Sequence, residues 1–110
     1  MIVTELTQRA LRDVKAIDRY SARVFGDRKA DQYIADIQDA IAVISENPGL
    51  LQTLPEVSKR LSFYRVQRHR LVCVEYPKRI YVSMILLNNI IQIFDLPDIN
   101  LFILSVVIAL

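Results

Sequence analysis

The sequence predicts an α+β fold of order β-α-α-β-β-β, a helix hairpin packed on a small, mostly antiparallel sheet. Three observations predict it. Two apolar stripes at helical spacing follow each other with only Gly26-Asp27 between them. Three runs rich in β-branched and aromatic residues follow, separated by turns of a few residues. A short β-branched stretch opens the chain.

Ile2 to Leu6 is the first predicted strand, with Ile-Val-Thr supplying β-branched residues. Thr7 is placed to cap the first helix. Ala10, Val14, Ile17, Ser21 and Val24 recur at four- and three-residue steps and form its apolar face. Arg9, Arg12, Lys15, Arg19 and Arg23 take the opposite positions. Gly26 suits a left-handed residue at the helix end, and Asp27 is expected to cap the second helix. There Ala30, Tyr33, Ile34, Ile37, Ala40, Ile41 and Ile44 make a wide stripe, and Asn47-Pro48-Gly49 stops it. The short link makes the two helices antiparallel neighbours. Pro48 to Ser58 reads as a loop. Leu61 to Val66, Arg70 to Glu75 and Ile80 to Leu87 read as a three-strand meander, with Gln67-Arg68-His69 and Tyr76-Pro77-Lys78-Arg79 as its turns. A two-helix hairpin cannot bury its stripes alone, so it must cover one face of this sheet.

Composition narrows the function. The 110 residues carry 14 Lys and Arg against 12 Asp and Glu, a net charge of +2, with 53% hydrophobic residues and a mean hydropathy of +0.26. This much apolar side chain excludes intrinsic disorder. Cys73 is the only cysteine and His69 the only histidine, which excludes a disulfide scaffold and leaves no metal site or cofactor to expect. Cys73, between Val72 and Val74, reads as a packed small hydrophobe. The N-terminal MIVTELTQRALRDVK lacks the apolar run of an export signal, so a cytoplasmic protein is expected.

The hydrophobic excess is local. Every basic residue lies at or before Arg79, and only Asp95 and Asp98 carry charge after it. The uncharged runs there are too short for a membrane span, which needs roughly 18–20 continuous apolar residues. No membrane partner is expected. Buried strands or a surface for homo-oligomers through the apolar C-terminus are the readings kept.

Two basic groups are candidate sites. Lys59, Arg60, Arg65, Arg68, His69 and Arg70 cluster in sequence with Tyr64 among them. Such charges hold phosphates, and His69 or Tyr64 can move protons in RNA cleavage. The same residues also suit a solvated strand edge, where Lys and Arg prevent pairing, with His69 as an exposed turn residue. The Arg and Lys face of the first helix, with Arg12 and Arg19, either attracts an acidic partner or is simply solvated.

The pieces ALRDVKAIDRY, ARVFGD and AIAVISENPGLL, and above all LSFYRVQRHRLVCVE, together resemble the ParE branch of the RelE/ParE toxin superfamily. The last piece resembles the R-F-Y-R-V-x-x-H-x-L-V-C strand pair of ParE-like plasmid-stabilisation toxins. The resemblance implies a toxin domain over residues 1–87, with 88–110 an atypical apolar C-terminal extension of the same domain. It implies a toxin of a type II toxin–antitoxin system that inhibits DNA gyrase by binding and has no catalytic residues. Its partners would be gyrase and a cognate acidic antitoxin lying in the groove between helix hairpin and sheet. Partner-binding residues would be Arg12, Arg19, Arg60, Tyr64, Arg65 and Arg68.

The alternative is a RelE-like, ribosome-dependent mRNA endoribonuclease with Arg65, His69 and Arg70 as phosphate clamp and proton carrier. An inactive remnant is the third reading. The chain departs from the family pattern at its end. Met84 and Leu87 stand near the positions of the RelE catalytic Arg and of the His in H-x-S-M-D-L-P. Asp95-Leu96-Pro97 echoes D-L-P about four residues late, with Ile91 and Phe94 for its His and Met. A reading-frame change or degenerate terminus is one account of this departure.

Overall fold

A computed structural model describes residues 2–55 and 58–88. Strand β1 (Val3–Leu6) leads into helix α1 (Gln8–Phe25) and helix α2 (Asp27–Glu46). A single 3-10 turn (Pro48–Leu50) and β2 (Gln52–Leu54) precede β3 (Ser58–Val66), β4 (His69–Tyr76) and β5 (Arg79–Leu87). The sheet has five strands in the order β1-β5-β4-β3-β2. β1 pairs parallel with β5, and every other pair is antiparallel. The two helices pack on one face of this mixed sheet, α1 chiefly on β5 and α2 on β1 and β3. The α+β order read from the sequence is therefore the observed one, with a short β2 added.

Thr7 does what its position predicts. Its hydroxyl accepts from the Ala10 amide at 3.1 Å and donates to the Ser83 carbonyl at 2.7 Å, so one side chain caps α1 and ties it to β5. That carbonyl is presented by a β-bulge. Cys73 pairs with Val82 and Val72 with Met84, leaving Ser83 as the extra residue. Beyond Val82 there is no β1 residue to pair with β5. The carboxylate of Asp13 on α1 takes over, accepting from the Ile85 amide at 3.0 Å.

Several local expectations are corrected. Gly26 has φ 93° and ψ 161°, a mirror-extended conformation open essentially to glycine alone and not the left-handed helical one expected. Its amide closes α1 on Ala22 and its carbonyl accepts from Ala30, so Gly26 itself caps both helices. Asp27 is the first residue of α2 and makes no side-chain cap; its charge still favours the positive helix start. Val24 is 49% exposed because α1 ends past the buried stretch, whose last residue is Ser21. Pro48 to Ser58 is not all loop, since Gln52 and Thr53 pair with Phe63 and Ser62. A three-residue strand has no period to read. It exists because the outer edge of β3 offers hydrogen-bond partners.

His69 is also corrected. Val66 pairs with His69, so the turn is Gln67-Arg68 alone and His69 begins β4, half-buried. Cys73 is buried, and burial pushes its thiol up to about 12, so it is protonated and inert near neutrality. The core under the helices joins Ala10, Ile17, Ile37 and Ile44 to Leu71, Cys73, Ile80 and Val82. No helix among the described residues is long and apolar enough to cross a membrane. The extension from residue 89 onward, with Ile91, Phe94 and the Asp95-Leu96-Pro97 echo, lies outside the described residues.

Candidate partner-binding groove

The β3–β4 turn is held in an unusual way. Gln67 has a φ of 53°, a left-handed conformation that costs a non-glycine residue roughly 1–2 kcal/mol. Three contacts hold it there. The Gln67 side-chain amide donates to the Asp36 carboxylate on α2. The Gln67 carbonyl accepts from Arg65 Nε at 2.9 Å. The Arg68 amide donates to the Tyr33 hydroxyl at 3.2 Å. Helix α2 therefore sets the shape of the turn, and through it the direction of Arg65 and Arg68.

Tyr33 also organises His69. Its hydroxyl lies 2.6 Å from His69 Nδ1 and 3.4 Å from the Val66 carbonyl, and the rings meet edge to face at 5.5 Å. The tautomer of His69 sets which of the two groups donates in the Tyr33–His69 bond. Burial lowers the His69 pKa below the ordinary 6.5, with the Asp13 charge pulling it partly back. Burial also raises the Tyr33 pKa, opposed by its bond to the Arg68 backbone. Both groups are thus neutral near pH 7. Because the folded His69 pKa lies below the unfolded one, the unfolded chain takes up the proton first. Stability from His69 is present above about pH 6.5 and is lost as pH falls below it. His69→Gln is expected to show a shallower loss of urea stability between about pH 7.5 and about pH 5.5 than the parent chain. Parallel curves for the two chains would refute the buried, neutral ring.

This polar corner closes one end of a groove of about 650 Å³ between α1 and the sheet. Ile17, Tyr20 and Phe25 supply its apolar side from α1. Tyr33, Arg65, Arg68 and His69 line the polar end, and Leu87 and Asn88 bring in the end of β5. Tyr20 is 54% and Phe25 50% exposed, so the groove keeps aromatic area in water beside two solvated guanidinium groups. That combination fits a chain carrying both apolar and acidic side chains.

The candidate residues are only partly brought together. Arg65, Arg68 and His69 share the groove. Arg70 does not line it: it pairs with Arg65 across β3 and β4, and alternation places both on the face opposite Val66 and His69, from which Arg65 reaches the groove. Arg65 and Arg70 are cross-strand neighbours, and His69 projects from the opposite face, so the three do not converge from one face. Tyr64 is packed against the main core. Arg60 lies at the far end of β3, beside a second cavity with Lys59 and Glu75. Arg12 and Arg19 are exposed on α1 and line neither cavity. Met84 is buried in β5, while Leu87 sits at the groove. Nothing in the sequence alone marks Tyr20, Phe25 or the Tyr33 hydroxyl as site features. The nearest signal is a tyrosine on a buried helical stripe, whose hydroxyl needs a partner.

No curated protein matches this chain. Among solved structures, the chromosomal ParDE TA system from P. aeruginosa is similar. It has a TM-score of 0.69 over 79% of this chain and 96% of that one, at 17% identity. That likeness shows a shared fold. In sequence, residues 4–87 match the family model of the ParE toxin of the type II toxin–antitoxin system, parDE. On that match, which runs from within β1 to the end of β5, the chain belongs to the ParE toxin family of type II toxin–antitoxin systems.

Proposed function

We propose that this toxin acts in the cytoplasm by binding and inhibiting DNA gyrase, and that a cognate acidic antitoxin neutralises it from the groove beside α1. The family match over residues 4–87 carries this reading. The groove supports a binding mode of action. Its one histidine is half-buried, and Tyr33 occupies its Nδ1. Arg70, needed with Arg65 and His69 for a phosphate clamp, projects beside Arg65 from the face opposite His69. Binding needs only shape, apolar area and charge, and Tyr20, Phe25, Arg65 and Arg68 provide them. A partly disordered acidic segment would offset its ordering cost by burying its apolar residues there.

Purified toxin added to gyrase and supercoiled plasmid tests the target. Trapped, cleaved DNA is the expected product, and antitoxin added first should prevent it. Undiminished gyrase turnover at micromolar toxin would remove gyrase as the target. New 5′ ends in translated messages of expressing cells would instead point to ribonuclease action.

A further inference from the structure

The two helices carry opposite charge. α1 has five basic side chains against two acidic, and α2 has two against five. The two sets do not neutralise each other: among the described residues no ion pair joins one helix to the other. On α1 the charge is gathered on one side. At about 100° per residue, Arg12, Lys15, Arg19 and Arg23 fall within about 80° of the helix circumference, opposite the buried Ala10, Ile17 and Ser21. All four are exposed.

This stripe has no role in holding the fold. None of the four pairs with a carboxylate among the described residues. Arg19 Nε reaches the Lys15 carbonyl at 3.4 Å, and the Arg23 guanidinium stands 5.8 Å from the centre of the Tyr20 ring. Lys15–Arg19 and Arg19–Arg23 are like charges four residues apart, which repel on a helix surface. The first turn of α1 holds no acid, although the positive helix start favours one, and only Arg23, in the last turn, suits the dipole.

We propose that Arg12, Lys15, Arg19 and Arg23 dock α1 on the phosphate backbone of duplex DNA. That the phosphates are those of DNA rests on gyrase as the target, since the duplex gyrase holds is the one this toxin would meet. Charge and shape argue for a polyphosphate over an acidic peptide. Gln8, Ala16 and Ala22 fill the gaps around the stripe, and the nearest ring, Tyr20, belongs to the rim of the groove. The stripe therefore offers no large apolar anchor, which a protein interface needs. A phosphate backbone needs none, because neutralising it releases its bound counterions. The stripe runs straight for about 16 Å, a length over which a duplex presents about ten phosphate charges. Antitoxin and DNA would thus use adjoining sides of α1, the groove and the stripe.

The full-length toxin tests this with a labelled duplex of arbitrary sequence and no gyrase, read by fluorescence anisotropy. Four phosphate contacts should give a slope of log affinity on log salt of about −3 to −4. Arg12→Gln combined with Arg19→Gln should bind about tenfold more weakly in low salt, with the slope smaller by about two. Lys59→Gln combined with Lys78→Gln removes the same charge from β3 and the β4–β5 turn, and should stay within about threefold of the parent. Toxin that traps cleaved plasmid with gyrase yet shows no salt-dependent affinity for the duplex overturns this proposal and leaves the gyrase reading intact. Equal losses in the two double variants also overturn it, as does tighter binding to duplex RNA of the same length. A stripe variant that keeps its DNA affinity and loses antitoxin affinity assigns the stripe to an acidic peptide instead, and overturns it too.

Discussion

Ile37→Asp is expected to abolish folding, while Arg19→Asp leaves the chain folded. Ile37 is 1% exposed and sits in the cluster that joins α2 to Val66, Leu71 and Val82. The substitution removes about 2–3 kcal/mol of apolar burial. It also places a carboxylate among the apolar side chains of that cluster, at a further cost of several kcal/mol. Small domains have only about 5–15 kcal/mol in total, so the sum consumes most or all of it. Arg19 is exposed, and its Nε makes one contact, to the Lys15 carbonyl at 3.4 Å. Surface changes of that kind stay within roughly 0.5 kcal/mol. Far-ultraviolet circular dichroism and urea titration separate the two. Equal behaviour of both variants would mean that α2 does not present Ile37 to the sheet.

Tyr20→Ala combined with Phe25→Ala is expected to weaken antitoxin binding by about two orders of magnitude or more, with the melting temperature nearly unchanged. Buried aromatic anchors at an interface are worth about 2 kcal/mol each, and about 1.4 kcal/mol is tenfold in affinity. Both rings are about half exposed in the free chain, so truncating them removes little of its own core. Arg68→Glu complements this test. Its side chain is solvated, whereas the backbone amide holds the turn on Tyr33. Charge reversal should therefore slow association and flatten its salt dependence without disturbing Tyr33 or His69. Calorimetry and association kinetics with the cognate antitoxin measure both effects. Affinity within threefold of the parent for the double variant would place the antitoxin elsewhere.

The sequence by itself determined the parts whose order is local. The stripe from Ala30 to Ile44, the Thr7 cap, the Asn47-Pro48-Gly49 stop and the three meander strands are written in spacings of two, three or four residues. Each can be read within one or two turns of chain. The family resemblance is legible for the same reason, since it rests on contiguous pieces such as LSFYRVQRHRLVCVE.

Tertiary structure decided whatever depends on residues far apart. β1 lies beside β5 because Val3–Leu6 pair with residues more than seventy positions away. β2 is a strand only because β3 offers an edge, and the Ser83 bulge meets Thr7 only once α1 crosses β5. His69 reads as a turn residue until Tyr33, thirty-six positions earlier, is seen to hold it. Arg65 and Arg70 project from one face and His69 from the other, because a cluster in sequence is split between two faces once it becomes a strand pair, and Arg65 and His69 still both line the groove. Periodicity records which side of an element is apolar. Only hydrogen-bond register and packing decide which surface that side meets.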